Sequence, residues 1–202
     1  VAVHLVGLLA VGLLGGSLDP EGLTVLPNGN FLVADEYGPS VYEFDITGKQ
    51  VRAFTVPGNL VPKEAGGVVN YVDGRPAIVT GRQDNRGYEG LTLSPDGTKA
   101  YAIMQDPLVN EGASNDGRRS RNLRIVQYDV ATGQPTAQYV YQLDSIADIN
   151  ANTPGDTFSA TNQGRSIGAS SIATLPDGRL VVLERDNRGV GIDDPTGLRQ
   201  IG

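Results

Sequence analysis

Arg82-Gln83-Asp84-Asn85-Arg86-Gly87-Tyr88-Glu89-Gly90-Leu91-Thr92-Leu93-Ser94-Pro95-Asp96-Gly97 holds two motifs, and each returns elsewhere in the chain. The first half reappears as Arg185-Asp186-Asn187-Arg188-Gly189, with Asp-Asn-Arg-Gly identical. The second half, from Glu89, echoes Glu21-Gly22-Leu23-Thr24-Val25-Leu26-Pro27-Asn28-Gly29. It echoes Ser171-Ile172-Ala173-Thr174-Leu175-Pro176-Asp177-Gly178 more weakly. Repetition of this kind sets the architecture before any single residue is weighed.

Each copy reads as a short apolar strand, a Pro-Asx-Gly turn and a return strand. In the first unit the strands fall over 23–26, 31–34, 41–46 and 51–56, with turns at Pro27-Asn28-Gly29 and Thr47-Gly48-Lys49. Glycine supplies the positive φ that such turns need. The second unit runs over 91–94, 100–104, 124–130 and 136–142, and the third opens over 171–175 and 180–184. Four short antiparallel strands joined by hairpins make one propeller blade. The expected fold is therefore all-β and propeller-like, with about three recognisable four-stranded blades belonging to a longer propeller. Repeat spacing is uneven, 68 residues from Pro27 to Pro95 and 81 from Pro95 to Pro176. The extra length lies over 105–121 and 143–168, read as loops with a short helical turn at 146–150. No segment carries a long 3.6-residue apolar period, so large helices are not expected.

Composition narrows the function classes. The 202 residues suffice for one domain with a sizeable core, here 17–202, and 27 glycines and 12 prolines suit a turn-rich β protein. There is no cysteine, which removes disulfide and thiolate chemistry, and the net charge of −7 does not attract nucleic acid or an anionic membrane. Residues 1–16 are almost wholly apolar. The run is too short to span a bilayer, so no membrane insertion is expected. It fits the apolar core of an export signal or one or two buried strands.

Strand direction locates the candidate site. If the Pro-Asx-Gly hairpins share one face, the starts of the first strands and the ends of the second strands collect on the other. That face gathers Glu21, Asp35, Glu36, Arg82, Arg86, Glu89, Glu184, Arg185 and Arg188. Carboxylates brought together on loops suit a hard cation such as Ca²⁺, with Glu21, Asp35 and Glu36 as metal ligands and Glu89 and Glu184 beside them as catalytic residues. The competing reading has these acids satisfying backbone N–H groups and arginine partners. Guanidinium forks suit phosphate or carboxylate. Arg86 and Arg185 are placed at the chemistry, and Arg82, Arg188, Tyr88, Asn85 and Asn187 are placed at the substrate. The plainer alternative is inter-blade ion pairing. Zinc is disfavoured, because the one histidine, His4, lies in the apolar run. A serine triad around Ser166, Ser170 or Ser171 would need that same histidine. No phosphate-binding glycine loop opens a helix.

Asp19-Pro20-Glu21-Gly22-Leu23, Asp35-Glu36-Tyr37-Gly38-Pro39, Asn85-Arg86-Gly87-Tyr88-Glu89-Gly90-Leu91, Leu93-Ser94-Pro95-Asp96-Gly97 and Leu183-Glu184-Arg185-Asp186-Asn187-Arg188 resemble bacterial proteins with a phytase-like domain. The resemblance runs in order over about 17–197. It implies a β-propeller-like fold, a periplasmic or secreted location, and hydrolysis of phosphoric or other esters of small molecules. On this reading a metal-assisted water attacks at the acidic, arginine-lined face. The alternative is a non-catalytic propeller that binds a small ligand or a protein through that face.

Overall fold

A computed structural model describes residues 18–71, 77–112, 116–152 and 157–187; the apolar run 1–16 and Arg188 lie outside the described residues. The first unit is a four-stranded antiparallel meander of β1 (Pro20–Val25), β2 (Phe31–Asp35), β3 (Ser40–Phe44) and β4 (Gln50–Ala53). A two-stranded ribbon follows, β5 (Lys63–Glu64) with β6 (Ile78–Thr80), where the sequence pattern gave no strand signal. The second meander is β7 (Tyr88–Leu93), β8 (Lys99–Met104), β9 (Asn122–Asp129) and β10 (Gln134–Gln142). The third unit shows β11 (Ile167–Thr174) paired with β12 (Leu180–Asp186).

Successive units pack through their sheet faces, with the first strands β1, β7 and β11 side by side but in separate sheets. Strand alternation explains how one strand serves two interfaces. Along β8, Ala100, Ala102 and Met104 face the first unit and join Leu32, Ala34, Val41, Phe54, Tyr88, Leu91 and Tyr128 in one core. Ile103 faces the opposite way and joins Ile125, Leu143, Ile146, Ile167 and Ile172 in a second core beneath the third unit. A sheet buried on both faces is what stacked propeller blades require. The approach is close: a Cβ on Gly22 would lie 2.9 Å from Leu91 Cβ, and one on Gly90 would lie 2.8 Å from Ile172 N.

The stretch expected as loop with a short helical turn at 146–150 has that turn as a helix and is otherwise more ordered than its polarity implies. The stretch after β10 contains α1 (Ile146–Asn152), a 3-10 turn (Ala160–Asn162) and one helical turn (Gln163–Ser166). Leu143, Ile146 and Phe158 anchor it by burial in the second core. Gln163 ties its ends together, donating to Asp144 O at 2.9 Å and accepting from Ile146 N at 2.8 Å.

All three first strands begin three or four residues earlier than the apolar pattern indicates, and each carries the same irregularity. Pro20 pairs with Asp35 and Gly22 with Ala34, leaving Glu21 as an extra residue. Tyr88 pairs with Met104 and Gly90 with Ile103, leaving Glu89 extra. Ala169 pairs with Glu184 and Ser171 with Leu183, leaving Ser170 extra. A β-bulge kinks its strand and re-aims the bulged side chain. Here it turns two glutamates out of the ladder at equivalent points of adjacent units.

Candidate functional site

The bulges set a common register at this end of the molecule. Opposite the residue before each bulge stand Asp35, Met104 and Glu184. One residue further along come Glu36, Gln105 and Arg185. Neighbouring strand positions point to opposite sides, so the two sets diverge.

Glu36 and Arg185 converge with the bulged glutamates. The carboxylates of Asp19, Glu21 and Glu36 each offer an oxygen within 4.8 Å of the others. Glu89 adds a fourth acid, close enough to raise the pKa of both Glu21 and Glu36. Glu36 is 3 % exposed and Glu89 6 %, yet Glu36 Oε1 and Glu89 Oε2 have no hydrogen-bond partner. Arg185 donates to the other Glu89 oxygen at 2.9 Å. Burial pushes the Glu36 carboxyl up to about 9, helped by Glu89 and by hydrogen bonding and charge from Asp19, with Arg86 opposing. Burial, then Glu89 and Asp19, pushes Glu21 up to about 7, with Arg185 opposing. Both guanidiniums therefore act electrostatically on the acidic cluster.

Those guanidiniums also line a hollow beside the cluster. It is a shallow depression open to solvent, and its walls include Arg86, Gln105, Asp106, Ser166, Arg185 and Asn187. Arg86 donates to Gln105 Oε1 at 2.6 Å, and its Nε lies 3.4 Å from Asp106 Oδ2. Asn187 donates its backbone N–H to Ser166 O at 3.1 Å, closing the rim. Gly168 keeps the floor low, since a Cβ there would lie 2.8 Å from both Asp106 Oδ1 and Gln105 O. Gly87 is tighter still: a Cβ would lie 1.9 Å from Glu36 O. That contact presses the Arg86-Gly87 turn against the strand end bearing Glu36.

Other residues expected at the site are placed elsewhere. Asp35 gives both oxygens to its own loop, accepting from Asp19 N at 2.8 Å and Gly38 N at 2.9 Å. Glu184, in the same register, points away from Glu89 and accepts from Tyr141 Oη at 2.6 Å and Asp144 N at 3.1 Å. Burial raises its pKa, opposed by those donors. Arg82 is wholly buried and does not line the hollow; its guanidinium donates to the carbonyls of Tyr37, Gln83 and Tyr71. Tyr88 is also wholly buried, with its hydroxyl 2.7 Å from that of Tyr128 in the first core. Asn85 adopts φ 47° at the tip of a turn closed by the Gln83–Arg86 bridge, a backbone role that asparagine tolerates. Asp19 was not singled out as a ligand by sequence reasoning. Its signal was its place in the Asp19-Pro20-Glu21 run.

An all-carboxylate donor set suits a hard divalent cation. Oxygens within 4.8 Å of one another are close enough to share one cation at a Ca²⁺–oxygen distance of ~2.4 Å. Two buried oxygens of the cluster and its neighbour Glu89 lack a hydrogen-bond partner even though Arg185 and Arg86 stand beside them, whereas buried polar atoms are almost always paired.

Comparison with known proteins gives a family. The description "Phytase-like: Esterase-like activity of phytase" matches residues 12–199. A protein from Arthroderma benhamiae described as an "Uncharacterized secreted protein" is 33 % identical over 185 residues, covering 85 % of this chain and 35 % of the relative. The chain thus spans about a third of that relative's length. Among solved structures, a Bacteroides caccae protein of unknown function aligns with TM-score 0.41 at 9 % identity, over 82 % of this chain and 38 % of its own. The PQQ-bound form of an aldose sugar dehydrogenase from Streptomyces coelicolor aligns with TM-score 0.40 at 23 % identity, over 82 % and 37 %. No helix among the described residues is long and apolar enough to cross a membrane.

Proposed function

The chain belongs to the phytase-like family, and from that membership we propose that it hydrolyses phosphoric or other esters of small molecules at the acidic, arginine-lined end of a longer β-propeller. The observation that carries this reading is the pair of partnerless buried oxygens, Glu36 Oε1 and Glu89 Oε2, beside Asp19 and Glu21 and next to two guanidiniums. Asp19, Glu21 and Glu36 would hold a divalent cation, with Ca²⁺ the favoured metal. When bound, such an ion polarises a phosphoryl or acyl oxygen and lowers the pKa of water.

The chain's own residues supply the rest. Hydrolysis joins a water oxygen to the acyl or phosphoryl centre, breaks the bond to the alcohol oxygen, and leaves the alcohol with a proton. Glu89 keeps Oε2 open while Arg185 fixes Oε1, which suits it to accept a proton from the attacking water. Arg86 and Arg185 offer positive charge where negative charge grows on the substrate. The relative described as secreted supports an extracytoplasmic location.

The Arg185–Glu89 and Arg86–Asp106 pairs favour a second reading, a binding propeller whose acids and arginines mainly hold its units together. Turnover separates the two. Purified protein is assayed with p-nitrophenyl phosphate, p-nitrophenyl acetate and phytate, in Ca²⁺ and in EGTA. Hydrolysis that needs the cation and is lost in Glu89→Gln supports the enzyme. No turnover on any substrate, with no Ca²⁺ effect on melting, removes it.

A further inference from the structure

The outer edge of the second unit carries a sequence with a two-fold symmetry of its own. β10 is the last strand of its meander, and β9 is its one hydrogen-bonded neighbour among the described strands. The first strands β1, β7 and β11 lie side by side, so β10 stands at the rim. Units packing face to face onto the first or third would leave its free edge open. Native sheets guard such an edge with charge, proline, a bulge or shortness. The fourth strand of the first unit is guarded, since β4 has four residues and Arg52 is one of them. β10 has nine, the most among the described strands. Charged residues make up 19 % of the chain, yet 134–142 has none. Its guards, Pro135 and the bulged Thr136, stop early. From Ala137 to Gln142 the pairing with β9 is regular, so the free edge presents an unbroken row of alternate N–H and C=O groups.

We propose that β10 pairs antiparallel with β10 of a second copy of this chain, about a two-fold axis through Val140, joining two four-stranded meanders into one sheet. The residues themselves point to this occupant. Gln138-Tyr139-Val140-Tyr141-Gln142 reads the same from either end. The two-fold sets Val140 opposite its own copy, Tyr139 opposite Tyr141 of the second copy, and Gln138 opposite Gln142 of the second copy. An axis perpendicular to the sheet keeps each side chain on its own side, so every opposed pair shares a side. The pairs are apolar with apolar, aromatic with aromatic and amide with amide, which is how cross-strand neighbours stabilise a sheet. Val140 is 60 % exposed and Tyr139 46 %, so this surface is there to be covered. Both tyrosines are already held, Tyr139 Oη donating to Gln127 Oε1 at 3.0 Å and Tyr141 Oη to Glu184 Oε1 at 2.6 Å. Fixed rings lose little freedom on pairing. Two copies of net charge −7 repel, and an uncharged seam is where they meet at least cost.

Sedimentation equilibrium over a rising concentration series tests the pairing. A six-residue seam is short for a stable interface, so the mass should climb from one chain towards two in the micromolar range. Val140→Lys sets two ammonium groups opposite each other at the axis and should hold the mass at one chain. Its melting temperature should match the parent's at a dilution where both are monomeric, because the side chain it replaces is exposed. The chain has no cysteine, so single cysteines read the register. Under mild oxidation Val140→Cys should cross-link to its own copy. Gln138→Cys and Gln142→Cys should not do so alone, since each lies four residues, roughly 13 Å, from its own copy and out of disulfide reach. Mixed together, those two variants should cross-link. The cysteine set decides alone if the lysine variant does not fold. A parent that keeps the mass of one chain at its highest soluble concentration overturns the proposal and leaves β10 to a strand of another protein. A dimer that survives Val140→Lys, or cross-linking equally efficient for each of the three cysteine variants alone, overturns the β10 seam.

Discussion

Replacing Glu36 with glutamine should make the cation-free protein more stable at alkaline pH and blind to Ca²⁺. The Glu36 carboxyl is 3 % exposed and its pKa is raised from 4.5 to about 9. A carboxyl that holds its proton more tightly folded than unfolded costs stability as pH rises. Nothing is lost below pH 4.5. From there the cost grows by about 1.36 kcal/mol per pH unit and levels off above the folded pKa. At pH 8 it reaches roughly 5 kcal/mol, a large part of the ~5–15 kcal/mol that holds a domain folded. Glutamine carries no charge but still buries an amide, at about 1–2 kcal/mol. The net gain at pH 8 is therefore about 3 kcal/mol, or ~6–12 °C in Tm for a domain of this size. At pH 5 the carboxyl is protonated in the folded state and only half a pH unit above its unfolded pKa, so the cost is still under about 1 kcal/mol and the two proteins should agree within about 1 kcal/mol.

Urea unfolding of both proteins at pH 5, 6.5 and 8, in EGTA and in Ca²⁺, reads this directly. Comparing the pair cancels titrating groups remote from Glu36. In Ca²⁺ the gap at pH 8 should nearly close, because the parent gains about 2.7 kcal/mol at a hundred times its Kd while the variant lacks a ligand. A variant less stable than its parent at pH 8 in EGTA would refute the claim that ionising the buried Glu36 costs the fold stability. So would a stability difference that does not change between pH 5 and pH 8.

Three further substitutions separate scaffold from site. Gly87→Ala drives a Cβ to 1.9 Å from the Glu36 carbonyl oxygen, a backbone atom that cannot swing aside. It should cost about 3 kcal/mol or more in urea unfolding and weaken Ca²⁺ stabilisation as well. Tyr88→Phe removes the hydroxyl pair with Tyr128 and should lower stability by about 1 kcal/mol, leaving kcat and KM for p-nitrophenyl phosphate unchanged. Arg82→Met strands the carbonyls of Tyr37, Gln83 and Tyr71 and should cost about 3 kcal/mol or more, read as a lower urea midpoint.

Much of the fold was legible because its signals are local. The Pro-Asx-Gly turns marked the hairpins, and Gly29, Gly97 and Gly178 take φ of 88°, 68° and 86° there. Strand alternation was weaker evidence than the repeat, since β8 is buried on both faces and its Ala-Tyr-Ala-Ile-Met run does not alternate in polarity. The ribbon β5–β6 was invisible: Lys63–Glu64 is too short and charged to register as a strand. Apart from the helical turn at 146–150, the ordered stretch after β10 reads as loop because its anchors, Leu143, Ile146 and Phe158, are isolated apolar residues among polar ones. Their burial depends on the third unit, which no local pattern reports.

The site was legible as a region and not as a set of ligands, and the reason is one residue of register. Counting back from the Pro-Asx-Gly turns places Glu21 and Glu89 correctly, because each lies at a fixed distance before its own turn. It cannot show that each is the extra residue of a bulge, which is what aims them together. On the returning strand the question is which acid shares a side with them. Asp35 and Glu36 are adjacent, as are Glu184 and Arg185, and alternation sends only one of each pair to the cluster. Pairing Pro20 with Asp35 and Ala169 with Glu184 puts Asp35 and Glu184 on the same side. Both carboxylates are taken up by donors, the Asp19 and Gly38 amides for one and Tyr141 with the Asp144 amide for the other. The partners that remain are Glu36 from the first unit and Arg185 from the third, opposite in charge at the same register. A repeat that preserves backbone register while changing the residue there can place an acid in one unit and its counter-charge in another. The cation-ligand and anion-ligand halves of the proposed site thereby come from equivalent positions of the fold.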